Sequence, residues 1–166
     1  MNAEAASRYV GSGPVLFLDL AGTVAIGPDA TSDEFNIPQS CGYALKRIVD
    51  SVPSLAVIVT SEDCFNPRTL TRLGTFLSKF GVPRTAIVGT TPAIEPQQNA
   101  PAPKKGDEIR AWLTRHAAVR SHVTLDDAYV AYGAGPGFPR VVYVDPATGL
   151  TEKDANEAVR ILKTYN

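Results

Sequence analysis

Along the chain, short unbroken apolar runs alternate with stretches in which apolar residues recur every three or four positions. Val15 to Leu18, Leu55 to Val59, Ala86 to Val88, Val123 to Leu125 and Val141 to Val144 are of the first kind. Such runs, bounded by turn signals, read as strands buried on both faces. Gln39 to Ser51 carries Ala44, Leu45, Ile48 and Val49 at helical spacing and is stopped by Pro53. A second helix starts at Asn66-Pro67, shows a stripe of Leu70, Leu73, Leu77 and Phe80, and ends at Gly81, with Pro at a first helical position and Gly as terminator. A third runs from about Glu108 to Val119, with Ile109, Trp112, Leu113 and Ala117 on one face. The last opens at Thr151-Glu-Lys-Asp154, a capping box with Asp in place of Glu or Gln, and turns Ala155, Ala158, Val159 and Leu162 to the sheet. The order β-α-β-α-β-α-β-β-α predicts a five-stranded, mainly parallel sheet with helices on both faces: an α/β, Rossmann-like three-layer sandwich.

The segments between these elements are rich in turn residues. Val24 to Pro38 is long for a plain connection, as lids beside a site often are. Thr91 to Pro103 reads as an irregular surface loop. Tyr129 to Pro139 holds Gly133-Ala-Gly-Pro-Gly137, which is no dinucleotide fingerprint because no helix follows it. A length of 166 residues fits one domain. Met1 to Ser12 is expected to be a flexible tail without the apolar stretch of a secretory signal, and residues 13–166 a single domain. No apolar run approaches the ~20 residues of a membrane span. The net charge of −1 gives no strong nucleic-acid footprint, although a local basic patch remains compatible with it. Cys41 and Cys64 form neither a disulfide framework nor a metal-ligand spacing, which points to thiols in a reducing cytoplasm.

Chemistry gathers where the predicted strands end. Val15 to Leu18 runs straight into Asp19, and a carboxylate there is too costly to serve as core filler. In an open α/β sheet the crevice beyond the carboxyl ends of the strands is where ligands sit. Two further strands end in Thr60-Ser61 and Asp126-Asp127, and Lys104-Lys105 precedes the third helix. Singly, each group has a structural reading, as a cap, a turn or a solvated helix start. Together they form a coherent set. Carboxylates that approach one another need a cation. Mg²⁺ supplies it with few protein ligands and leaves positions for phosphate oxygens, which a hydroxyl and an ammonium can also hold.

The order Asp-x-x-Gly-Thr, strand-Thr/Ser, Lys, strand-Asp-Asp resembles the haloacid dehalogenase (HAD) superfamily of phosphotransferases, from about Val15 to the C-terminus. More narrowly, Asp107-Glu-Ile-Arg-Ala-Trp-Leu, Thr124-Leu-Asp-Asp and Val144-Asp-Pro-Ala-Thr-Gly-Leu-Thr are similar to the HAD-type domain linked to Swiss Army Knife RNA-repair proteins. The resemblance implies a capless HAD-type core. It also implies Asp19 as nucleophile and Mg²⁺ ligand, and Thr60 or Ser61 binding the phosphoryl group. Lys104 or Lys105 would steady the phosphoryl charge, Gly22 and Thr23 would lie at the substrate, and Asp126, with Asp127, would complete the metal site. The sequence departs from the family at Ala21, where a second Asp is usual. In the family that residue gives Mg²⁺ a backbone carbonyl and acts as general acid/base; Ala keeps the first and lacks the second. Asp-x-Ala-Gly-Thr is also similar to the first motif of phosphonoacetaldehyde hydrolase, which relies on a cap lysine. Here the only lysine between the first two strands is Lys46, inside a predicted helix.

Two functions are therefore expected to compete. One is a Mg²⁺-dependent phosphatase or phosphotransferase with an aspartyl-phosphate intermediate, slowed by Ala21 and acting on a phosphorylated small molecule or nucleic-acid end. The other is a phosphate-binding or regulatory module that keeps the fold without turnover.

Overall fold

A computed structural model describes residues 11–26, 35–60, 66–94, 105–128 and 140–165. The strands are β1 (Val15–Leu18), β2 (Ala56–Val59), β3 (Ile87–Thr90), β4 (His122–Asp126) and β5 (Val141–Tyr143). The helices are α1 (Gln39–Ser51), α2 (Pro67–Leu77), α3 (Lys105–Arg115) and α4 (Glu152–Thr164). All four strand pairings are parallel, in the order β3-β2-β1-β4-β5. The chain lays β2 and β3 to one side of β1, then returns to lay β4 and β5 on the other. The reversal opens a crevice between the carboxyl ends of β1 and β4, the usual ligand position in such sheets.

β1 is buried along its whole length, as a central strand flanked by parallel neighbours must be. Leu16 and Leu18 face the larger core, where they meet side chains of α1, α2 and α4. Val15 and Phe17 face a smaller cluster built on Ile109 and Trp112 of α3. The three layers are thus uneven, with α3 the one described helix on its face.

The helix ends follow local chemistry. Asn66 caps α2 by accepting the Arg68 N–H at 2.9 Å, with Pro67 in the first turn. At α4, Thr151 Oγ1 accepts the Asp154 N–H at 3.3 Å while the Asp154 carboxylate accepts the Thr151 N–H at 3.0 Å, the reciprocal pair of a capping box.

Several boundaries differ from the sequence expectation: β3 runs from Ile87 to Thr90 rather than from Ala86 to Val88, and α3 ends at Arg115 rather than Val119. Residues Ser78–Phe80 tighten into a 3₁₀ turn after α2. β4 extends through Asp126 because β5 pairs beside it, with the Val144 N–H donating to the Asp126 carbonyl at 2.9 Å. α3 begins at Lys105 rather than near Glu108, so the lysine belongs to the helix. No helix among the described residues is long and apolar enough to cross a membrane.

Candidate active site

Register delivers the two principal carboxylates to one spot. Leu18 of β1 stands beside Leu125 of β4, and the Asp19 N–H continues the ladder onto the Leu125 carbonyl at 3.0 Å. The next residues, Asp19 and Asp126, are therefore neighbours, only 3% and 0% exposed. On the other side of β1, the Thr60 N–H donates to the Leu18 carbonyl at 2.9 Å and brings Thr60 alongside Asp19. Side chains alternate across a strand, so Asp19 and Thr60 share the face of Phe17 and Ile58, the side covered by α3.

Helix α3 brings the cation. Its Ile109 and Trp112 pack on that face, with the Trp112 and Phe17 rings edge-to-face at 5.3 Å. This anchor aims the first turn at the strand end. Lys105 Nζ donates to Asp19 Oδ1 at 2.5 Å and to Asp126 Oδ2 at 3.3 Å. A lysine at the positive end of a helix is unfavourable by itself; two buried carboxylates reverse that balance. Burial works against the ammonium, but the charges of Asp19 and Asp126 outweigh it and hold the Lys105 pKa above the ordinary lysine value. The other Asp126 oxygen accepts the Ala128 N–H at 2.8 Å, which fixes the carboxylate's orientation.

The turn after β1 is compact. The Leu20 carbonyl accepts from the N–H groups of Thr23, Val24 and Ala25. Gly22 adopts φ +74°, and a Cβ there would lie 2.2 Å from Asp127 Oδ2. Both the backbone conformation and the close approach of Asp127 therefore require glycine. Thr23 is fully buried, and its hydroxyl reaches Asp19 Oδ2 at 3.4 Å. Ala21 is exposed. The Val144-to-Thr151 stretch touches this turn through its backbone, the Leu150 N–H donating to the Thr23 carbonyl at 2.7 Å.

One oxygen from each of Asp19, Asp126 and Asp127 lies within 4.8 Å of the others. Burial and the neighbouring charge of Asp126 raise the Asp127 pKa, as expected where carboxylates crowd. Thr60 Oγ1 is buried without a hydrogen-bond partner among the described residues, an uncommon state for a buried hydroxyl. An all-oxygen donor set with an orphaned hydroxyl close by fits a hard divalent cation and an oxyanion. HAD domains generally use Mg²⁺, and these residues suit it.

Asp19, Thr60, Lys105, Asp126 and Asp127 thus lie together at the strand ends, with Ala21, Gly22 and Thr23 in the adjoining turn. Lys104 and Ser61 lie outside the described residues, as does Cys64. One contributor was not read from the sequence: the Ala128 N–H is a backbone group with no side-chain signal. Glu108, one turn on from Lys105 on the same helix face, is buried and accepts from the Thr91 hydroxyl at 3.4 Å just past β3.

No curated protein and no solved structure matches the chain significantly. A protein-family model described as the HAD domain in Swiss Army Knife RNA repair proteins matches residues 15–155. The match takes in both aspartate-bearing strand ends and α3, and on that basis the chain belongs to the family of HAD domains found in Swiss Army Knife RNA repair proteins.

Proposed function

We propose that the protein is a Mg²⁺-dependent phosphatase or phosphotransferase that works through Asp19. The observation that carries this reading is the convergence of Asp19, Asp126, Lys105 and the partnerless Thr60 hydroxyl at the crevice between β1 and β4. Asp19, Asp126 and Asp127, with the Ala21 carbonyl, would hold the ion, which supplies charge stabilisation for the transferring phosphoryl group. An Asp19 oxygen attacks phosphorus, and the leaving oxygen departs with the electron pair of the broken bond. Water then attacks the phosphorus of the aspartyl-phosphate, releasing phosphate and regenerating Asp19. Lys105 has three N–H donors, two of them directed at Asp19 and Asp126, and the third is available to a phosphoryl oxygen. Thr60 donates to another. Gly22 and Thr23 shape the turn against which substrate rests.

Ala21 offers no carboxyl to protonate the leaving oxygen, and a positioned general acid is worth ~10²–10⁴ in rate. Turnover is therefore slow for alkyl phosphates and faster where the leaving group is stable as an anion. The family's occurrence in RNA repair proteins supports a nucleic-acid end as substrate, with a phosphorylated small molecule as the alternative. The same Ala21 favours a second reading, a phosphate-binding or regulatory module without turnover. The buried free thiol Cys41 suits a reducing cytoplasm.

The test is an assay with Mg²⁺ on one aryl and one alkyl phosphate. Wild type hydrolyses the aryl ester, Asp19→Asn is folded and inactive, and Ala21→Asp gains more on the alkyl ester than on the aryl one. Aryl turnover by Asp19→Asn at the wild-type rate removes Asp19 from the mechanism. A wild type and an Ala21→Asp variant that both bind Mg²⁺ yet turn over neither ester leave the binding module.

A further inference from the structure

The charge of this nearly neutral chain is unevenly spread. Residues 66–94 contain Arg68, Arg72, Lys79 and Arg84 and no acidic residue; with +4 here, a total of −1 leaves −5 for the remainder. Part of this basic segment borders aromatic side chains. Phe76 and Phe80 lie 5.9 Å apart, and the Phe80 ring meets Tyr43 of α1 edge-on at 6.0 Å. Tyr43 is 51% exposed, one of two large hydrophobic side chains that the described residues leave open to solvent. Lys79 Nζ stands 4.6 Å from the centre of the Phe76 ring. Arg72, Phe76 and Lys79 line a shallow groove of about 230 Å³. Lys46, paired with Asp50 one turn on, lies over Gly81, the residue after Phe80. The chain of ring contacts from Tyr43 through Phe80 to Phe76 thus links α1 with α2 and the 3₁₀ turn that follows it, with Lys79 at its end.

We propose that this surface binds single-stranded nucleic acid, with Tyr43 as a base-stacking platform and Arg72, Lys79 and Lys46 as phosphate contacts. Cations and an open aromatic ring on neighbouring parts of one surface are the equipment for a strand whose bases are unpaired, because every base offers a π-face and every linkage a charge. A duplex hides its base faces, and an acidic peptide would use the charge and leave the tyrosine idle. The surface shares no residue with the crevice at Asp19, so the proposal does not depend on the catalytic reading.

The experiment is fluorescence anisotropy of the full chain with a labelled oligouridylate RNA of about twelve nucleotides, in EDTA, from low to physiological salt. Binding is expected to weaken with salt. Lys79→Ala and Arg72→Ala should each reduce the slope of log K against log salt by about 0.7, as loss of one phosphate contact on a single strand does. Tyr43→Ala should weaken binding about fivefold or more, the lower end for loss of a stacked base, while keeping the slope. Lys79→Glu is a second route should the tyrosine variant fail to fold. Asp19→Asn should bind as wild type does, and Tyr43→Ala and Lys79→Ala should keep the wild-type rate on an aryl phosphate. The proposal is overturned by absence of binding at low salt, by variants that bind like wild type, or by equal affinity for a duplex or a polyglutamate peptide. An inactive protein that still binds RNA in this pattern defeats the catalytic reading and leaves the surface intact.

Discussion

Replacing Lys105 with methionine keeps most of the side chain's length and removes its charge. In the folded protein Asp19 and Asp126 are 4% and 0% exposed at the side chain, whereas Lys105 is 29% exposed. Breaking a fully buried pair by removing one partner costs ~3–5 kcal/mol, and breaking an exposed one ~0–1 kcal/mol. With two deeply buried acids and a lysine that water partly screens, the expected cost is about 2–4 kcal/mol. At ~2–4 °C per kcal/mol for a chain of this size, the variant should melt roughly 5–15 °C lower in EDTA. Mg²⁺ offsets the same negative charge, so adding it should raise the melting temperature of Lys105→Met more than that of wild type. A ligand bound only by the native state stabilises it in proportion to its affinity, and in wild type the ammonium competes for the carboxylates. Asp126→Asn should blunt the Mg²⁺ response. The double variant should cost less than the sum of the singles, by ~1–3 kcal/mol for directly coupled residues. The measurement is thermal unfolding of all four proteins with and without Mg²⁺. If Lys105→Met melts within about 2 °C of wild type in EDTA, or if its deficit is unchanged by millimolar Mg²⁺, the electrostatic account of the site is wrong.

Thr60→Val removes a buried hydroxyl that has no partner among the described residues, so stability should hold or rise by roughly 1 kcal/mol while aryl-phosphate turnover falls; a loss of stability would mean that the hydroxyl is satisfied in solution. Gly22→Ala sets a Cβ 2.2 Å from Asp127 Oδ2 at φ +74°, and should cost at least ~1–2 kcal/mol for the left-handed backbone alone. It should also shrink the Mg²⁺-induced rise in melting temperature, and an unaltered rise would separate Asp127 from the metal. Burial, with the Arg140 cation close by, lowers the His122 pKa from 6.5 to about 4. The unfolded chain therefore binds the extra proton first, and stability falls as pH drops from about 6.5 towards 4, by roughly 3 kcal/mol at most. His122→Gln should flatten melting temperature against pH in that window, and an unchanged profile would assign the acid sensitivity elsewhere.

Local interactions write themselves into local sequence, and those parts were legible. Four apolar residues before Asp19 make β1 because a strand covered on both faces needs apolar side chains on both. Helical periodicity locates α1, and α2 and α4 are bounded by caps whose partners lie within three residues: Asn66 with Arg68, and Thr151 with Asp154. The identity of Asp19, Thr60 and Asp126 as strand-end groups follows from the same reading, as does the absence of a carboxyl at Ala21.

What only the tertiary structure decided is who stands beside whom. Asp19 and Asp126 meet because the chain crosses back to place β4 against β1 in a particular register. Strand order depends on packing between distant segments, and no local propensity encodes it. Whether Asp126 belongs to a strand or to the turn after it was settled by β5 pairing alongside. Lys105 is a site residue because Ile109 and Trp112, on its own helix, find Phe17 on β1. Side chain and target are 86 positions apart. The aromatic and basic surface of α1 and α2 is likewise assembled from residues unremarkable in their own segments, because surface charge is free to scatter until the fold brings it together.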